Sequence, residues 1–179
     1  MYLHIVKTLK DSGLDFKIDK LTNSIENVQT GDSFSTEVSL LSKEDLRIIS
    51  PKNSWKFNWL SEFKYPTRDV YKLTIVNNPG VIQGAVSLES RIDHVYMHLL
   101  ESAPFNVGRN KVYVGVPGNL VAFACKLSFQ RGGEGYVSFL SKSNLIDRYV
   151  NSLGAIHCGG QLMVINTEAA LKLTNKYFQ

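Results

Sequence analysis

The run Gly115-Val116-Pro117-Gly118 stands directly before Asn119-Leu120-Val121-Ala122-Phe123-Ala124-Cys125-Lys126-Leu127, a stretch apolar on most helical faces. The start of a helix leaves backbone N–H groups without partners and carries a partial positive charge, and glycines allow close approach, so the chemistry of this spacing is phosphate binding. Two well-known phosphate loops are excluded. There is no G-x-x-x-x-G-K-[ST], and no G-x-G-x-x-G with an acidic residue about twenty positions on. Gly-x-x-Gly before a helix also describes an ordinary tight turn, and spacing alone leaves both readings open. Cys125, in mid-run, reads as a small buried hydrophobe rather than a nucleophile. His157 and Cys158 are neighbours without a third group to orient them. With two cysteines and no close Cys or His partners around them, neither a zinc ligand set nor a disulfide framework is expected.

These residues need elements to hold them. Tyr71, Leu73 and Ile75 alternate with Lys72 and Thr74, Asn77-Asn78-Pro79-Gly80 breaks the pattern, and Val81 to Leu88 is a second apolar run, which predicts a hairpin. A third strand, Asp93 to Ser102, is denser in apolar residues and belongs nearer the sheet centre. Ala103 to Tyr113 reads as a loop. The helix opened by the glycine run ends at Arg131-Gly132-Gly133, and Tyr136 to Leu140 follows as a strand. Ser143 or Asn144 is placed to cap a helix with Leu145, Ile146, Tyr149, Val150 and Leu153 on one stripe and Gly154 as its stop. A strand at Leu162 to Ile165 and a last helix, capped by Thr167 and presenting Ala170, Leu173 and Tyr177, complete the order.

The N-terminal third is less regular. Leu3, Val6 and Leu9 have helical spacing with a stop at Asp11-Ser12-Gly13, Phe34 to Leu40 reads as a strand, and Ser42-Lys43-Glu44-Asp45 can open a short helix. Trp55, Phe57 and Trp59 alternate as in a half-buried strand or extended segment, with aromatic core anchors as the plain reading.

The 179 residues suit one domain, 44% hydrophobic and 20% charged, with no apolar run of the roughly 20 residues that a membrane-spanning helix needs. Met1 to Lys10 lacks the apolar run and small-residue cleavage site of a secretory signal, so a cytoplasmic protein without membrane partners is expected. A net charge of +4 permits an anionic ligand, but the basic residues stand singly or in loose pairs such as Lys17 and Lys20, which disfavours nucleic acid.

The order of a hairpin, a central strand ending Leu100-Glu101-Ser102-Ala103-Pro104, a glycine run opening a helix, a strand and a helix ending Tyr149-Val150-Asn151-Ser152-Leu153-Gly154-Ala155 resembles the GNAT acetyltransferase superfamily. Leu100, Ser102 and Pro104 are similar to its L-x-V-x-P strand end, with Ser for Val. Gly115 to Leu120 looks like its pyrophosphate loop, [QR]-x-x-G-x-[GA], with Gly118 on the middle glycine, Gly115 in place of Gln or Arg, and Leu120 in place of the last small residue. The resemblance implies an α+β GNAT-like fold, a mixed and mostly antiparallel sheet flanked by helices. One domain spans residues 1–179, with 67–179 the cofactor-binding core and 1–66 assigned to it by length.

The function so implied is N-acetyl transfer from acetyl-CoA, with no metal, to the amine of an unidentified small molecule or protein. A homodimer is a family-level expectation. An inactive acyl-CoA-binding or interaction protein and a toxin-like enzyme acting on aminoacyl-tRNA are the alternatives. On this resemblance the pyrophosphate lies on the backbone of Val116, Pro117, Gly118, Asn119 and Leu120 with Gly115, pantetheine runs beside Leu100 and Ser102, and Asn144 touches it. The oxyanion meets a backbone N–H at a bulge near Glu101 and Ser102. For the base the sequence offers His94, His98 and Glu101 on the central strand and Glu89 just before it, with His98 and Glu101 the favoured candidates. In an ideal strand His94, Tyr96, His98 and Leu100 share one face and Glu101 the other, so a bulge at Leu100 to Ser102 is expected to turn Glu101 toward the acceptor. Tyr149 lies one residue before the family's tyrosine acid, a place held here by Val150, and one residue turns a helical side chain by ~100°.

Overall fold

The computed structural model describes residues 23–177; the helix expected around Leu3, Val6 and Leu9 lies outside them. Nine strands form one sheet in the order β6-β1-β2-β3-β4-β5-β7-β9-β8. They are β1 (Ser24–Asn27), β2 (Ser33–Leu40), β3 (Asp69–Ile75), β4 (Asn78–Ser90), β5 (Val95–Ser102), β6 (Tyr113–Val114), β7 (Val137–Leu140), β8 (Ile156–His157) and β9 (Leu162–Ile165). The β5–β7 pair is parallel and every other pairing is antiparallel. The mixed, mostly antiparallel sheet flanked by helices is as expected.

Alternation sorts the strands' side chains to two faces. On one, Tyr71, Leu73, Val86, Val95 and Met97 pack with the helices α2 (Val116–Gln130) and α4 (Thr167–Tyr177) in the larger core. Cys125 is fully buried there, and burial pushes its thiol up to about 12, so it acts as a small hydrophobe. On the other face, Val70, Ile82, Ala85 and Ala103 pack with Leu41, Ile49, Trp55 and Trp59 in a second core under the segment that carries α1 (Trp59–Lys64). Ala85 and Ala103 have no bulk to fill this layer, so the two tryptophans do, meeting edge to face at 6.5 Å.

Several boundaries differ from the sequence reading. Trp59 opens α1, with Asn58 Oδ1 accepting from Ser61 N at 3.1 Å, so the alternating aromatics are extended only as far as residue 58; Trp55 and Trp59 are core anchors and Phe57 is exposed. The Ser42 to Asp45 start signal is real, with Ser42 N donating to Asp45 Oδ2 at 2.8 Å, but it opens a single 3-10 turn, Asp45–Arg47. The loop before α2 contains a 3-10 turn, Pro104–Asn106, and the two-residue edge strand β6. The helix α3 (Ile146–Leu153) follows a 3-10 turn, Ser143–Leu145, without a side-chain cap from Ser143 or Asn144. Asn166 caps α4, its Oδ1 accepting from Ala169 N at 3.0 Å, while Thr167 donates to the Glu134 carbonyl at 2.8 Å.

Candidate active site

The parallel pair β5–β7 holds register only over Val95–Met97 against Val137–Phe139. Beyond that point the strands part around a cavity of about 500 Å³. Its walls are β5 from Met97 to Ser102, the end of β7 with Ser141 and Lys142, Pro117 and Val121 of α2, Tyr149 of α3, and the loop that carries Lys56 and Phe57. The parting coincides with a bulge. Across β4, Leu88 pairs with Met97 and Ser87 with Leu99, so His98 is an extra residue in β5. A bulge raises local twist and turns the following residues over, which here swings the strand end away from β7. Ala103 N donates to the Gln83 carbonyl on β4 at 2.8 Å. Strand alternation then points the N–H groups of Leu99 and Glu101 toward β4 and those of Leu100 and Ser102 into the cleft.

The bulge therefore lies at His98, earlier than the expected Leu100 to Ser102, and it still brings Glu101 to the face that carries Tyr96. The His98 and Tyr96 rings meet at 4.6 Å, and His98 Nε2 lies 2.7 Å from Glu89 Oε2. The hydrogen bond from His98 holds the Glu89 carboxyl below its usual range, against the opposing effect of burial. Glu101 is buried, and its carboxylate is an acceptor for three donors: Lys56 N at 2.6 Å, Phe57 N at 3.3 Å and Trp59 Nε1 at 2.8 Å. Such a carboxylate ties the 55–59 segment to the cleft wall.

No protein-family model matches the sequence, and no curated protein matches it. Solved structures do. The chain is similar to mutant forms of the spermidine/spermine N-acetyltransferase SpeG from Vibrio cholerae, at 15% identity over 76% of this chain and 96% of that one, with a TM-score of 0.56. The dodecameric spermidine N-acetyltransferase of the same organism matches at 16% identity over 76% of this chain and 96% of that one, TM-score 0.56. The ribosomal-protein-S18-alanine N-acetyltransferase from Escherichia coli matches at 14% identity over 73% of this chain and 90% of that one, TM-score 0.52. The chain has the GNAT fold.

Within this GNAT fold, the cleft between β5 and β7 brings together His98, Leu100, Glu101, Ser102, Pro117 and Tyr149. Other expected contacts are not in its wall. Gly115 to Gly118 is not a free loop: Gly115, at φ +100°, is the N-cap, and Val116 to Gly118 form the first turn of α2. Pro117 has no N–H, and Asn119 N donates to the Gly115 carbonyl at 3.1 Å, so Val116 and Gly118 are the first-turn N–H donors that remain for an anion. The side chains of Val116 and Leu120 are core. Asn119 is a buried clamp: Nδ2 donates to the carbonyls of Ser24 at 2.9 Å and Gly115 at 2.8 Å, and Oδ1 accepts from Thr36 Oγ1 at 3.3 Å. This turn lies hard against β4. A Cβ on Gly84 would come within 2.5 Å of Val116 Cγ1, so only glycine fits there.

Asn144 is exposed outside the cavity wall; Lys142 and Leu145, on either side of it, are in the wall. Of the two helical candidates, Val150 is exposed and Tyr149 faces the cleft, edge-on to Phe139 at 5.2 Å. Burial raises the Tyr149 hydroxyl above its usual range, opposed in part by Arg148, so it keeps its proton at neutral pH.

The sequence reading missed the third wall. The Trp55 and Trp59 spacing signals buried anchors, but nothing local says that they deliver the Lys56 and Phe57 amides to Glu101 some 45 residues on. A larger cavity, about 700 Å³, lies beyond Tyr96 on the sheet face away from α2, against Arg91, His94, Ser138 and Val164. It touches no residue from His98 to Ser102, so the unpaired strand edge belongs to the smaller one. Among the described residues no three His, Cys, Asp or Glu side chains meet as a metal site, and no helix is long and apolar enough to cross a membrane.

Proposed function

We propose that the protein is an N-acetyltransferase that moves the acetyl group of acetyl-CoA to an amine by direct attack. The observation that carries this reading is the unpaired length of β5, His98 to Ser102, facing a cavity that starts at the first turn of α2. An extended pantetheine arm fits such an edge as a further strand would, and the N–H groups of Val116 and Gly118 suit its pyrophosphate. The solved structures of similar fold include enzymes acting on spermidine and on the alanine of a ribosomal protein, which makes amines the class of acceptor to test.

In this reading the amine nitrogen attacks the thioester carbonyl, a C–N bond forms, and the oxygen gains the negative charge. The N–H of Leu100 or Ser102 on the cleft side stabilises that oxyanion. His98 takes the proton the amine loses. As the C–S bond breaks, the CoA thiolate leaves and is protonated by Tyr149. Glu101, with three donors on its carboxylate, serves as the anchor of the loop wall rather than as the base.

Calorimetric titration with acetyl-CoA and with CoA tests the cofactor site. Micromolar binding is expected, weakened at least tenfold in Ser102→Trp, whose indole fills the cleft while the melting temperature confirms a folded variant. Absence of binding to the unaltered protein would overturn the reading. Binding without turnover on polyamines, peptide α-amines or aminoacyl-tRNA would make it an acyl-CoA-binding protein instead.

A further inference from the structure

We propose that Glu89 is a positioning residue that holds the His98 ring with Nε2–H directed at its carboxylate, leaving Nδ1 as the atom that takes the acceptor's proton. The proposal rests on the assignment of His98 as the base. Three features of the structure build the device. His98 is the extra residue of the β5 bulge, so its backbone departs from the strand path at the point where the cleft opens. Its ring is held from one side by Tyr96, edge to face at 4.6 Å, and from the end by Glu89 Oε2 at 2.7 Å. Glu89 is itself held. Arg91 Nη2 reaches the same oxygen at 3.5 Å, and the Arg91 guanidinium lies 4.3 Å over the Tyr96 ring.

The consequence is a ring with one committed nitrogen. An ionised carboxylate accepts only, so the nitrogen facing it must carry a proton. The neutral ring then has its lone pair on Nδ1, which forms no hydrogen bond among the described residues. When Nδ1 takes a proton, the positive charge that develops is neutralised by Glu89, and neither group has to move. The His98 and Glu89 side chains keep 15% and 21% of their exposure, so the pair is sheltered enough for the attraction to count and open enough for the proton to leave to water. Lys56 and Lys142 line the same cavity and Glu101 is engaged by its three donors, so Glu89 is the carboxylate in contact with the ring.

Three variants and one spectroscopic signal test this. The protein should show a downfield imidazole Nε2–H proton that is lost in Glu89→Ala and retained in Glu89→Asp. With any accepted amine, Glu89→Ala should lower kcat roughly tenfold to a hundredfold with KM for acetyl-CoA within twofold, and Glu89→Asp should recover most of the loss. A purely structural role would lower the melting temperature and leave kcat alone. Missing Nε2–H signal, or unchanged kcat in Glu89→Ala while His98→Ala is crippled, overturns the positioning role and leaves His98 as base. Unchanged kcat in His98→Ala overturns the base assignment and this proposal together, as does a protein that acetylates no amine.

Discussion

The two halves of β5 share β4 as a neighbour on one edge and differ on the other. Val95 to Met97 lie between β4 and β7, hydrogen-bonded on both edges, with Val95 and Met97 in the larger core. His98 to Ser102 keep β4 alone, and their other edge faces the cavity. The closed half has its backbone groups satisfied and its side chains packed, which is what stability asks of a central strand. The open half has N–H groups without a strand partner beside a histidine, a tyrosine and two lysines. That combination is costly for folding and useful for holding an extended, polar ligand. One inserted residue, His98, separates the two.

The largest effects should come from crossing this boundary by a single residue. Met97→Ala, in the closed half, removes a buried side chain and should cost about 3 kcal/mol of stability, read by denaturant unfolding, with kcat changed only as far as the cleft shifts. His98→Ala should do the reverse: a loss of roughly 10²–10⁴ in turnover, with the melting temperature changed by a few degrees at most. If both variants lose stability and activity alike, the halves are one cooperative unit and the division proposed here fails.

Glu101 tests whether the open half is braced from outside the sheet. Its truncation to Ala leaves the Lys56 and Phe57 amides and the Trp59 indole without their acceptor, at a cost of about 2 kcal/mol. Because those donors form the loop wall, acetyl-CoA should also bind more weakly, whereas Val95→Ala, in the closed half and outside the cavity wall, should leave binding in place. Calorimetry on the two variants side by side decides it. Equal affinities would mean that the loop does not contribute to the cleft.

Much of this contrast could be read from the sequence, and the part that could not has a definite physical origin. The strands β3 to β5 alternate over seven or more residues between turn signals, so their existence and order were legible. The helix α2 was legible because it is apolar and buried on most of its faces, and Gly115 marked its start. Strands β1, β6 and β8 run for four, two and two residues, too short for a period to emerge. They exist through backbone pairing, as between Glu26 and Val114. The bulge was anticipated on the right strand but placed toward its end. Its true position follows from how Ser87 and Leu88 register against β5, and pairing is invisible in a single strand's alternation. Likewise, nothing in the sequence around Glu101 reveals the distant donors from the 55–59 segment that its carboxylate accepts.

The smallest expected effect supplies the control, because the structure contains another hydrogen-bonded carboxylate at the same distance from its partner, here a lysine. Lys72 Nζ lies 2.7 Å from Asp45 Oδ2, the distance that separates His98 from Glu89, and both partners are largely buried. It stands in a fully paired part of the sheet, two strands from the cleft: Lys72 of β3 lies between Ser39 of β2 and Ala85 of β4, and neither Lys72 nor Asp45 lines the cavity. Burial pushes the Asp45 carboxyl up, but the hydrogen bonds from Lys72 and from Ser42 outweigh it, and the group ends below its ordinary value. A carboxylate whose folded pKa is depressed contributes stability that is fully present above the unfolded value and fades as pH falls through the folded one. Asp45→Asn should therefore cost about 1 kcal/mol at neutral pH, and the gap between variant and unaltered protein should hold down to about pH 5 and close below about pH 4. Turnover should be unchanged throughout. Urea melts across that range, set beside kcat for Glu89→Ala, would show two carboxylate contacts of equal length doing different work: one carries stability without activity, the other activity without stability. A loss of kcat in Asp45→Asn would mean that the cleft and β3 are coupled, and distance alone would then no longer separate the structural pair from the chemical one.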